Sequence, residues 1–167
     1  MSNRQINAWG DLIATLTIWG AYFVRLGQAV ASGELAEAGF AETMGVHLGL
    51  SLLLSILSAL VIGFMVNLVR HHEPTRREAE DEAWAGLRAT RVAHAVVIVL
   101  IMALTGLALA LGAFAGPGLA AEINALLGRS VANGLVLFAN AGIAVLVLAE
   151  LVHYGALIVF LRRGRQA

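Results

Sequence analysis

Four stretches of this chain, about 9–31, 45–69, 92–115 and 131–161, are long enough and apolar enough to leave water, and no other feature constrains the fold as strongly. A helix rises about 1.5 Å per residue, so each stretch reaches across a hydrocarbon layer of about 30 Å. Backbone amides in lipid must be satisfied within the segment. Gly, Ala and Leu run through these stretches without strand-like alternation, so helices are expected and a barrel is not. With 59% hydrophobic and 13% charged residues over 167 positions, the chain has no length left for a second domain. The expected fold is all-α: one polytopic membrane domain, 1–167, built as a four-transmembrane-helix bundle. A segment ending in Ala31, Ser32 and Gly33 has the small residues of a leader cleavage site. Its apolar run of about 22 residues exceeds the 7–15 of a leader, so a retained first span is expected.

Orientation follows from arginine. The eleven basic residues are all Arg, as in a GC-rich bacterial genome, and nine of them precede the first span, lie between the second and third, or follow the fourth. Arg25 and Arg129 fall on the other side, where Glu34, Glu37 and Glu42 also lie. The positive-inside rule puts both termini and the central loop in the cytoplasm, and the protein in a bacterial inner membrane. Within that loop Thr75 and Glu78 form a capping-box pattern after Pro74, and acidic residues fill the first turns, so a cytoplasmic helix over about 75–91 is expected to run into the third span. Trp84, Arg88 and Arg91 approach the bilayer in the order of interfacial anchors. Pro117 and Gly128 delimit a second, shorter surface helix.

Glu150 is the one carboxylate well inside a span, with His153 and Tyr154 three and four residues on. An ionised carboxylate is costly there, so it is protonated, paired or facing water. The trio reads as a hydrogen-bonded lock on the bundle, as a proton or ion site, or as a fragment of a metal site. A single Glu-x-x-His falls short of the two such motifs that di-metal bundles use. His94 and His153, both in the cytoplasmic leaflet, allow a haem pair in principle; no cofactor is expected. The first span carries a polar line, Asp11, Thr15, Tyr22 and Arg25, on one face. Asn133 and Asn140 read as interhelical hydrogen-bonders. The second span repeats small residues, Gly45, Gly49, Ser51, Ser55, Ala59 and Gly63, at spacings that suit close helix packing, inside the chain or with a partner. The absence of Cys excludes disulfides, thiolate metal sites and thiol redox chemistry. No P-loop or dinucleotide fingerprint is present, and no nucleic-acid contact is expected.

The stretch Glu78 to His94, EAEDEAWAGLRATRVAH, resembles the acidic-to-basic segment before the third span of an uncharacterised family of small bacterial four-span inner-membrane proteins. Ala149 to Gly164 is similar to that family's closing segment, and Trp19, Gly20, Tyr22 and Phe23 to its first span. The family has a basic residue where Ala83 and Trp84 stand and an aromatic one at His94. The resemblance implies a four-span fold and no activity. From the residues, the expected function is a non-enzymatic binding, regulatory or accessory role, with the bilayer and a protein or a second copy as partners. The candidate partner surface is Glu78, Asp81, Trp84, Arg88 and Arg91. The alternative is a proton-coupled small transporter or ion pathway using Glu150, and a haem-b redox protein is more remote.

Overall fold

A computed structural model describes residues 3–68, 75–114 and 131–163, with isolated positions between 116 and 125. These residues form four long helices and one short turn: α1, Asn3–Ala31; a 3-10 helix, Glu34–Ala36; α2, Phe40–Leu68; α3, Arg76–Phe114; and α4, Val131–Arg163. The surface helix expected between Pro117 and Gly128 lies outside the described residues. Three helices are long and apolar enough to cross a membrane, over Phe40–Leu68, Ala79–Ala110 and Asn133–Arg162. α1 has the length, at 29 residues, but its polar line leaves it without an apolar stretch like theirs, so the expected four are met by three.

The packing order explains why α1 tolerates that line. α4 lies along α3 on one side and α1 on the other, and α1 in turn lies along α2, so α2 and α3 occupy the edges of the group. A closed bundle would bring those two together. α1 is therefore sheltered on two sides and buries polar residues beside apolar ones: Gln5 and Tyr22 are each 4% exposed, whereas Leu16 is 60% and Val24 61% exposed. The edge helices present apolar side chains outward nearly all round, among them Leu50, Leu60, Phe64, Val99 and Met102. Lipid makes such exposure the stable arrangement, and association between helices then rests on close packing and interhelical hydrogen bonds.

Three clusters mark the levels of the interior. At one end Ala8 of α1, Ala85 and Ala89 of α3, and Leu157, Ile158 and Leu161 of α4 pack together. At mid-depth Trp19 and Tyr22 meet Val147, with Leu48 of α2 against them. At the far end Leu26, Ala29, Leu35, Phe40 and Met44 close over Val136 and Leu137. Residues of α2 thus join α4 at the middle and far levels and are missing from the first cluster. The turn between α1 and α2 uses two glycines at positive φ, Gly33 at 87° and Gly39 at 95°. Gly33 follows the last turn of α1, where the Ser32 N–H donates to the Gln28 carbonyl at 2.8 Å. Left-handed backbone at a helix end favours glycine, which explains the small residues there in structural terms.

α3 is continuous through its charged and apolar halves. The Ala79 N–H donates to the Thr75 carbonyl at 2.9 Å, so Thr75 caps the start of the helix. At about 1.5 Å per residue its 39 residues exceed the thickness of any bilayer core.

Candidate functional site

A polar seam runs between α1 and α4. Asp11, Thr15 and Tyr22 lie on the side of α1 that α4 covers, because spacings of four and seven bring residues back to one face. In its middle the buried Tyr22 hydroxyl donates to Oδ1 of Asn140 at 2.6 Å, and Asn140 Nδ2 donates to the Val136 carbonyl at 2.8 Å. Trp19, Tyr22 and Phe23 form a ring cluster around this bond, with Trp19 and Tyr22 edge to face at 5.8 Å. At the far end Asn133 Nδ2 donates to the carbonyls of Leu35 at 2.7 Å and Glu37 at 3.2 Å, fastening the α1–α2 turn onto α4. Arg25 turns outward to an ion pair with Glu34 at 3.0 Å, and the Ser32 hydroxyl donates to the same carboxylate at 3.0 Å. The Ser32 hydroxyl first, and then the Arg25 guanidinium, hold the Glu34 carboxyl below its ordinary value of 4.5.

Toward the opposite end the seam turns acidic. Asp11 of α1 is close enough to Glu150 and Tyr154 of α4 for its charge to act on both. His153 also acts on Glu150, and its ring stands edge to face with Tyr154 at 5.5 Å. Glu150 itself is exposed on the edge of α4, and among the described residues it has no hydrogen bond or ion pair. One turn before Asp11, Oδ1 of Asn7 is buried without a hydrogen-bond partner. The electrostatic reach of Asp11 to Glu150 is not legible in the sequence, because 139 residues separate two positions that come near each other only once α1 and α4 lie side by side. His94 is exposed on α3. Among the described residues no three His, Cys, Asp or Glu side chains gather as a metal site would require.

The small residues of α2 divide between two faces. Each four-residue step advances a helix by about 40° beyond a full turn, so the repeat rotates as it proceeds. Ser51 is buried. The Ser55 and Ser58 hydroxyls donate to carbonyls of their own helix, those of Ser51 and Ser55, each at 2.9 Å. A Cβ added at Gly45, Gly49 or Gly63 meets nothing within 4 Å, so these glycines are not used to pack the chain on itself. The tight α1–α2 approach falls instead at Gly10, where an added Cβ would lie 3.0 Å from Cγ2 of Ile62.

The start of α3 is braced on one side and open on the other. Arg4 donates to the Glu82 carbonyl at 2.7 Å, and its guanidinium occupies the space that a Cβ on Gly86 would need. Ala85 and Ala89 are buried beside it. Arg162 stands over the Trp9 ring at 5.9 Å on the same level. Asp81, Trp84, Leu87, Arg88 and Arg91 face away from the other helices and are exposed. The side chain of Glu78 lies outside the described residues. Arg4 and Gly86 carry no sequence signal as partners, since an arginine near a terminus and a glycine in a charged helix each have blander explanations. In comparison with known proteins, no family model, no curated protein and no solved structure matches the chain.

Proposed function

We propose that the chain is a small four-span protein of a bacterial inner membrane that works by binding, as a regulatory or accessory subunit, with the open side of the start of α3 as its protein contact. The observation that carries this reading is the bracing of that segment. Arg4, Ala85, Gly86 and Ala89 hold one side of α3 against α1 and α4, while Asp81 and its neighbours are exposed on the other. Leu161 packs at the level of Ala85 and Arg4 reaches Glu82, so the first turns of α3 extend beyond the described ends of α1 and α4. A partner meeting a helix already held in place loses little conformational freedom in binding it. α1 serves as the fourth span in this reading: its polar face is covered by protein and its exposed face is apolar. Nine arginines on one side support cytoplasmic termini, and the similarity of Glu78 to His94 to the four-span family supports the same layout. The test is co-purification of the tagged protein in mild detergent, with and without Asp81→Arg. A stoichiometric protein lost on substitution, with the helical content unchanged, supports the reading. An unchanged set of partners overturns it.

A second reading rests on a separate observation, that the charge of Asp11 on α1 reaches Glu150 and Tyr154 on α4, with His153 beside them. A like charge nearby favours the protonated form of a carboxyl, which is what a proton carrier needs. In this reading Glu150 is the carrier of a proton-coupled pathway. Glu150→Gln then abolishes proton-coupled flux in proteoliposomes, and unchanged flux removes Glu150 from the mechanism.

A further inference from the structure

The open side of α3 also carries two arginines whose charge no described residue answers. Trp84, Arg88 and Arg91 follow spacings of four and three, which bring them within an arc of about 60° on the helix. Neither guanidinium has a hydrogen bond or ion pair among the described residues. The nearest acid toward the start of that side, Asp81, precedes Arg88 by two turns, about 10 Å. The opposite side of the same turns fixes their depth. Ala85 and Ala89 pack against Leu157, Ile158 and Leu161, immediately before Arg162, which lies over Trp9. Trp84 therefore shares a level with Trp9 and Arg162, while Arg88 and Arg91 lie one to two turns closer to the apolar half of α3. Leu87, 53% exposed, and Val92, 40% exposed, flank them on the outside. An arginine at that depth directs its guanidinium back along the helix toward the polar boundary, with its methylene stem against acyl chains. The group it meets there is a phosphate, which the planar fork of a guanidinium binds through two parallel hydrogen bonds.

We infer that Trp84, Arg88 and Arg91 form a binding site for the headgroup of an anionic phospholipid in the leaflet at the start of α3. This rests on the membrane-embedded reading above and divides the exposed side of α3 by depth, the acidic end facing a protein and the basic end facing lipid. The test uses the full-length protein in detergent, titrated separately with phosphatidylglycerol and phosphatidylcholine, with bound lipid counted by native mass spectrometry. Phosphatidylglycerol is expected to bind about thirtyfold more tightly, the advantage of two arginines near an anionic surface. Replacement of Arg88→Gln or Arg91→Gln is expected to weaken that lipid about fivefold each, and the double substitution about thirtyfold. Circular dichroism establishes that the double variant keeps its helices. Equal affinity for the two lipids, or phosphatidylglycerol binding unchanged in the folded double variant, overturns the inference. So does a stoichiometric protein that leaves with the double substitution while lipid binding persists, since that assigns the face to a protein. Extraction from native membranes by alkaline carbonate separates the two levels of argument. Release of the chain would defeat the embedded reading itself, whereas retention without lipid preference defeats only the headgroup site.

Discussion

At the scale of single residues, the polar contacts in the seam make the sharpest predictions. Removing the Tyr22 hydroxyl with Tyr22→Phe is expected to cost about 1 kcal/mol of stability in detergent, the range found for hydrogen bonds between membrane helices. Asn140→Leu is expected to cost more, because it leaves the Tyr22 hydroxyl buried and unpartnered. The double variant should cost less than the sum, and additive costs in reversible unfolding would show that the 2.6 Å bond contributes nothing as a pair. Glu34 gives a pH prediction of known sign. Its folded-state pKa lies below 4.5 because of the Ser32 hydroxyl and Arg25, so its contribution is complete above 4.5 and is lost as pH falls through the lower folded value. The difference in melting temperature between the wild type and Glu34→Gln should hold steady from neutral pH down to about 5 and then close. A difference that stays constant into more acid solution would remove the ion pair from the account. Asn133 and Asn140 are legible from sequence as interhelical hydrogen-bonders, since an amide in an apolar run has few other uses, and Asn140 accepts from Tyr22 across the helices. The partners of Asn133 are not legible, because the carbonyls of Leu35 and Glu37 carry no residue identity.

At the scale of helices, close approaches fall where the four-residue repeat does not point. The run from Ser51 to Gly63 rotates about a third of a turn around α2, so its serines and glycines serve different neighbours, while the tight contact with α1 depends on Gly10. The continuity of α3 is legible in advance from Thr75 and the acidic first turns. Its bracing is not, because Gly86 matters through Arg4, which lies 82 residues away. Gly86→Ala puts a Cβ into the space of the Arg4 guanidinium, which can swing aside but then loses the Glu82 carbonyl. The expected cost is about 1 kcal/mol, the value of one hydrogen bond to a charged donor in a half-wet site. Arg4→Ala removes the same bond by the other route, so thermal unfolding of the double variant should show little further loss. Full additivity would mean that the cost of Gly86→Ala arises from a contact other than the one with Arg4.

At the scale of the molecule, the open question of mechanism narrows to whether α1 crosses the bilayer, since the polar seam is intramembrane only if it does. Hydropathy alone stops at three helices. It averages over all faces of a helix, and α1 concentrates its polar residues on the face that α4 hides. Packing argues the other way: α1 runs antiparallel to α2 for most of its length, from Gly10 against Ile62 to Ala29 against Phe40 and Met44. If α2 crosses, α1 at its side has nowhere else to lie. The absence of cysteine allows a direct test, because a single introduced thiol is the only one in the chain. If the proposed topology holds, Asn3→Cys and Ala79→Cys are expected to react with a membrane-impermeant maleimide only after the membrane is opened, and Ala38→Cys before. With α1 outside the bilayer, Asn3→Cys would instead react in intact cells together with Ala38→Cys. That outcome would leave Asp11 with no route to Glu150 inside the membrane and end the case for a proton pathway, while the lipid contact of α3, which needs only Ala79–Ala110 to span, would stand.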